Sequence, residues 1–172
     1  MKKIKPVWLM IGCLLVFMSA CAYRFAGSGE SLPEFDRLFI ELLDNRTGES
    51  GIGGLVTDDL KNEFIQTYGG TLTGSEDAAA VLSGKITGLR SWTVSRRGAL
   101  TSLERRIRLE VDVSLKRKTG EIIRSARGVS ATETYAVPAG DKTAEEANRQ
   151  AAIASLSRQI AEAVFHRLTE DF

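Results

Sequence analysis

The side chains that could do chemistry are unevenly spread, and arginine dominates them. Arg90, Arg96, Arg97, Arg106, Arg108, Arg117 and Lys118 fall within one stretch of the chain. A guanidinium is a planar fork of donors that meets a phosphate or carboxylate with two parallel hydrogen bonds, so such a set suits recognition of anions. The bland alternative carries equal weight, because one face of a solvated strand is normally charged. Groups for covalent or acid-base work are scarcer. His166 is the only histidine, so no second imidazole can complete a metal site or a triad around it. There is no Gly-x-Ser-x-Gly elbow. The acidic pairs Asp58-Asp59 and Glu145-Glu146 lie near expected helix starts, where the helix dipole favours carboxylates. Catalysis is not expected, and no catalytic residue, metal ligand or cofactor is assigned.

Cys21 offers a different chemistry. Lys2, Lys3 and Lys5 precede an apolar run from Val7 to Phe17, and Met18-Ser19-Ala20 leads through small residues into the cysteine. That is the layout of a secretory signal peptide. The run is short of the ~20 residues that cross a ~30 Å hydrocarbon core as a helix. Ser19-Ala20-Cys21 resembles a bacterial lipobox, with Met18 where leucine is preferred. The resemblance implies a diacylglycerol thioether on Cys21, cleavage before it, and acylation of the new amine by a chain such as palmitate. Ala22 in place of aspartate after the cysteine implies sorting to the outer membrane. Cys13 lies in the signal, so no disulfide is expected, although the periplasm would permit one.

Removing 20 of the 172 residues leaves enough chain for one ordinary core and no more than one domain. The expected organisation is a signal peptide over 1–20, a lipidated tether over 21–35 marked by Gly27, Gly29 and Pro33, and a single domain over 36–172. The formal charge of +1 becomes about −2 once the three lysines of the signal are lost, which suggests no polyanion partner. Its distribution is less even. Lys85 to Arg127 holds 12 basic and 4 acidic residues, and the rest of the mature chain is acidic by ten charges. Segregated charge of this kind is one way to recognise an anionic partner.

The elements that must position these groups follow from periodicity. Arg37 to Leu43 reads as a strand ending in the turn formers Asp44-Asn45-Arg46-Thr47-Gly48. Asn45-Arg46-Thr47 matches a glycosylation sequon but reads better as an Asx turn. Apolar positions from Leu55 to Tyr68 repeat at helical spacing and stop at Gly69-Gly70. Gly51, Gly53 and Gly54 read as a loop before that helix, since no Gly-Lys-Ser/Thr follows.

A second strand covers Ala78 to Ser91, where Gly84 and Gly88 suggest a bulge or a close backbone approach. Trp92 to Leu103 reads as a loop or a strand extension. From Glu104 to Arg117, Ile107, Leu109, Val111, Val113 and Leu115 alternate with polar residues, so one face is dry and the other wet. Lys118-Thr119-Gly120 fits a three-residue hairpin loop opposing Arg117 and Glu121, although a two-residue loop is also compatible. The return strand is Ile122 to Tyr135. After the break at Val137-Pro138-Ala139-Gly140, Thr143 and Glu146 form a capping box for an alanine-rich helix reaching about Thr169. The fold class predicted is α+β, with a four-stranded mixed sheet and two helices packed on one face.

With these elements in place, the chain resembles the LptE family of lipopolysaccharide-assembly outer-membrane lipoproteins. The resemblance rests on Cys21-Ala22-Tyr23-Arg24-Phe25, the strand leading into Asn45-Arg46-Thr47 and a helix, the long alternating strand, and the terminal helix ending Leu168-Thr169-Glu170-Asp171-Phe172. Glycine usually follows the family's cysteine, and Ala22 departs from that. The resemblance implies a lipid-anchored protein on the periplasmic side of the outer membrane, held inside the β-barrel protein LptD. There it would act as a plug, assist barrel assembly and bind lipopolysaccharide. In that compartment the anions are lipopolysaccharide phosphates and peptidoglycan carboxylates, and no nucleic acid is expected. The basic set above is the candidate lipopolysaccharide contact. The alternative class is a periplasm-facing scaffold or activator lipoprotein of peptidoglycan synthesis or another envelope machine.

Overall fold

The computed structural model describes residues 36–96 and 103–169. The signal segment, Cys21, the tether and Arg97 lie outside the described residues, as does the side chain of Arg96. The elements run β1 Arg37–Ile40, β2 Asp44–Asn45, α1 Ile52–Glu63, β3 Thr71–Leu72, β4 Ala80–Arg96, β5 Leu103–Arg117, β6 Ile122–Val137 and α2 Lys142–Thr169. The sheet has six strands, in the order β3-β1-β4-β5-β6, with β2 also paired to β4. Pairs involving β1, β2 and β3 are parallel, and β4/β5 and β5/β6 are antiparallel. The class is α+β with two helices and a mixed sheet, but six strands replace the four expected.

Two local events account for the difference. The first strand breaks because the Leu43 amide leaves the ladder and donates to Thr57 Oγ1 of α1 at 3.0 Å, while Thr57 in turn donates to the Gly53 carbonyl at 2.7 Å. Leu43 is thereby buried and Leu42 is left exposed. The second event follows Gly69, whose left-handed backbone (φ 60°) ends a π-helical turn over Phe64–Tyr68 and sends Thr71-Leu72 back beside β1. Two residues carry no periodicity, so β3 was not readable beforehand.

Of the three glycines expected in a loop, Gly51 stays outside the helix with a left-handed backbone (φ 79°), whereas Gly53 and Gly54 belong to it. The helix begins at Ile52, and Gly53 sits where a Cβ would meet the Leu43 carbonyl oxygen at 2.8 Å. Gly53 therefore lets α1 lie directly on the β1–β2 kink. The earlier start places Asp58 and Asp59 in the middle of α1, away from its dipole end. The last helix likewise starts early. Asp141 Oδ1 accepts from the Ala144 amide at 2.9 Å, so Asp141 is the cap, and the Thr143–Glu146 box is not formed.

The alternation in β5 is realised as expected. Ile107, Leu109, Val111, Val113 and Leu115 are buried in one hydrophobic cluster that also takes in residues of both helices. Burying each aliphatic side chain contributes about 1.5 to 3 kcal/mol, so this strip is one substantial part of a core that β1, β4, β6 and both helices share. α2 lies on β5 and β6, and α1 packs on α2, β1 and β2. Phe165 of α2 joins the two helices through Phe64 and Tyr68, with ring centroids at 5.8 and 5.3 Å. The opposite face of the sheet carries no helix among the described residues.

The hairpin between β5 and β6 is the three-residue form. Gly120 is left-handed (φ 90°), its amide donates to Arg117 O at 2.8 Å, and the Arg117 amide donates to Glu121 O at 2.9 Å. The Asn45 sequon is an Asx turn, with Asn45 Oδ1 accepting from the Thr47 amide at 2.9 Å.

Candidate functional site

The open face is built by the even-numbered residues of β5. Arg106, Arg108, Glu110, Asp112, Ser114 and Lys116 alternate with the buried strip, so the pleat directs all of them away from the helices. The phase of β4 is less simple. Ser83 opposes Ser114 and Lys85 opposes Asp112, but the register shifts between Ile86 and Gly88. One extra residue moves the following even positions onto the open face. Arg90 then opposes Arg108, and Trp92 opposes Arg106.

The result is a cleft of about 670 Å³ lined by Thr87, Gly88, Arg90, Trp92, Arg108 and Glu110. Arg108 Nη2 donates to Ser130 Oγ of β6 at 2.9 Å and lies 3.7 Å from Glu110 Oε2. Thr87 Oγ1 donates to the Glu110 carbonyl at 3.2 Å across the bulge. Arg90 and Arg106 have no carboxylate partner among the described residues. Like charges directly opposite across two strands cost up to about 1 kcal/mol, so facing Arg90 to Arg108 is an unfavourable choice for a free sheet. Glu110, 3.7 Å from Arg108, offsets part of that cost, and an anion between the two guanidinium groups would offset the rest. Trp92 is 43% exposed in the lining, which sets apolar surface beside the guanidinium groups.

The seven basic residues singled out from the sequence do not form one patch. Arg90, Arg106 and Arg108 come together here. Arg117 and Lys118 sit at the β5–β6 turn, eleven or more residues along β5 from Arg106 and roughly 35 Å away. There Arg117 Nη1 donates to Glu121 Oε2 at 2.8 Å, and Lys118 Nζ donates to the Glu76 carbonyl. Arg96 ends β4, and Arg97 and Cys21 are outside the described residues. Reasoning from the sequence missed Trp92, because its facing depends on a bulge that periodicity does not locate. The glycine at 88 was the one available signal.

Arg105 takes the other side of β5 and pairs with Glu145 of α2 at 3.2 Å. His166 is exposed on α2 beside Arg167 and Glu162. Among the described residues no three histidine, cysteine or carboxylate side chains cluster in a way that could hold a metal ion. No described helix is long and apolar enough to cross a membrane.

Fold and site together define a sheet-and-helix module whose bare face presents cations and hydroxyls. The family model LptE, described as lipopolysaccharide-assembly, matches residues 35–168, and the chain belongs to that family. Several solved structures are similar in outline. A minor lipoprotein from Acinetobacter baumannii is 14% identical, with 78% of this chain and 91% of that chain covered and a TM-score of 0.45. The rare lipoprotein B from Shewanella oneidensis is 14% identical over 76% and 91% of the two chains, with a TM-score of 0.48. An uncharacterized lipoprotein B from Nitrosomonas europaea is 14% identical over 78% and 83%, with a TM-score of 0.47. No curated protein sequence matches the chain.

Proposed function

We propose that the chain is a non-catalytic component of the lipopolysaccharide transport and assembly machinery, anchored through lipidated Cys21 to the periplasmic side of the outer membrane. In this reading it seats in the LptD β-barrel, which it plugs and helps to assemble, and it binds lipopolysaccharide with its open sheet face. Membership of the family supports the process. The observation that carries the ligand is the facing of Arg90 to Arg108, with Arg106 and exposed Trp92 beside them. Guanidinium groups next to an aromatic suit a phosphate attached to an apolar body.

One contact is worth about 1.5 to 3 kcal/mol where desolvated and less than about 1 kcal/mol where exposed, so single changes hide. The test is therefore a combined change of Arg90, Arg106 and Arg108 to serine. Lipopolysaccharide affinity falls and the remaining binding loses salt sensitivity, while the fold and copurification of the barrel persist. Unchanged affinity in a folded variant assigns these arginines to solvation. Loss of the barrel with lipopolysaccharide binding intact assigns them to the protein interface.

A further inference from the structure

The same sheet face holds a second cleft, of about 590 Å³, at the end nearer the β5–β6 turn. Its floor is a row of three hydroxyls, because Ser83 of β4 opposes Ser114 of β5 and Ser114 opposes Ser125 of β6. Ser83 Oγ and Ser114 Oγ are 3.3 Å apart. Lys116 and Arg127 stand on its walls. Neither has a carboxylate partner among the described residues.

Two carboxylates, Asp44 and Asp112, also line the cleft, and both are already engaged. Asp112 accepts from the Gly128 amide at 2.9 Å and lies 3.7 Å from Lys85 Nζ, and Asp44 is held by Arg46 at 2.6 Å. The cleft therefore offers two uncommitted cations and three hydroxyls, each hydroxyl able to donate and accept. Ile122, 59% exposed at the rim, provides an apolar wall.

From these groups we infer that this cleft is a second anion-binding station, for an acidic sugar. The ammonium and guanidinium take its phosphate or carboxylate, the serines its ring hydroxyls, and Ile122 the C–H face of the ring. The two clefts adjoin along the face, where Glu110 of one and Asp112 of the other are neighbours, and share no lining residue; Arg108 and Lys116 stand eight residues apart on β5, roughly 26 Å. They also differ in character. The arginine cleft has Trp92 for an apolar body, and the serine cleft has hydroxyls for a wet one. The choice of ligand rests on the lipopolysaccharide reading, because that molecule carries phosphates beside its acyl chains and acidic sugars beyond them. Open-face strands running between the two stations would hold the molecule lengthwise.

Full-length protein in detergent is titrated with two probes, deacylated lipopolysaccharide and lipid A. Lys116→Ser combined with Arg127→Ser lowers affinity for deacylated lipopolysaccharide about tenfold and leaves lipid A binding unchanged. Ser114→Ala, which removes a hydroxyl and no charge, gives a smaller loss on the same probe. Changing Arg90, Arg106 and Arg108 to serine chiefly weakens lipid A. If the parent binds both probes and the folded double variant binds them as the parent does, the serine station is overturned and the lipopolysaccharide reading stands. Equal losses on both probes also overturn it, as a general charge effect. If the parent binds neither probe, the lipopolysaccharide reading falls and takes this ligand with it. A soluble peptidoglycan fragment, which offers the muramyl carboxylate, is the third arm. Tighter binding of that fragment overturns the choice of ligand.

Discussion

Glu49 lies in the loop ahead of α1, and Arg149 lies a hundred residues later in α2. The guanidinium grips both carboxylate oxygens, Nη1 to Oε1 at 3.2 Å and Nη2 to Oε2, while Glu146 and Gln150 complete the cluster. The hydrogen bond from Arg149 is the main reason the Glu49 carboxyl is held below its ordinary value. A depressed carboxyl stabilises the fold above its unfolded value, and that contribution is lost as pH falls through the folded value. Arg149→Met therefore costs about 1 kcal/mol near neutrality. The gap between parent and variant closes as pH falls below about 4.3, the ordinary glutamate range. Urea melts over a pH series check this, and a gap that stays constant into acid shows that the pair is not its source. Gly84 makes a second prediction at the same scale. A Cβ there would meet the Asp112 carbonyl oxygen at 2.5 Å and Val113 Cγ1 at 2.9 Å. Gly84→Ala should cost about 1 to 3 kcal/mol, read from the denaturation midpoint, whereas Gly74→Ala, with open space around it, should cost much less.

At the scale of elements, β4, β5 and β6 form a long antiparallel ribbon with irregularities on its outer strands. Those between Ile86 and Gly88 and around Arg127-Gly128 decide which side chains share the open face. The central strand keeps a strict alternation, so the two faces of the ribbon should respond differently to one added charge. Val111→Asp places an unpaired carboxylate in the core and should abolish cooperative unfolding, while Thr132→Asp, on the exposed face of β6, should leave a normal melt. Comparable small effects at both positions would show that the facing is wrong. Asp112 is not a neutral surface position, because its carboxylate holds the Gly128 amide and so fixes the second irregularity. Asp112→Ala should cost about 1 kcal/mol and loosen amide protection at Gly128, measurable by hydrogen exchange.

For the whole molecule, helices on one side and exposed cations on the other leave the sheet two unlike faces. Each buried CH₂ of an acyl chain contributes about 0.8 kcal/mol, and one chain holds only marginally, so stable anchoring through Cys21 needs two or three chains. Cys21→Ala should abolish lipid labelling and release the protein from washed outer membranes. A labelled mutant, or a mature start elsewhere, would remove the anchor from the proposed function.

The sequence by itself determined the α+β class, the order of the long elements and the buried strip of β5, and it placed a turn at Gly120. Each of these is set by local periodicity or by a single backbone requirement, and both are written in neighbouring residues. It also carried the family, through motifs spread over most of the chain. Only the folded structure decided the split of the first strand, the start of α1 at Ile52, the three-residue form of the β5–β6 hairpin and the composition of the site. The split depends on a hydroxyl at Thr57 meeting an amide at Leu43, a partnership that no period encodes. The arginines separated into those on the open face and those at the turn because strand length puts distance between sequence neighbours. Trp92, Arg90 and Arg108 converge because a one-residue register shift changes the phase of β4, and a shift of one residue in a period of two exchanges the faces.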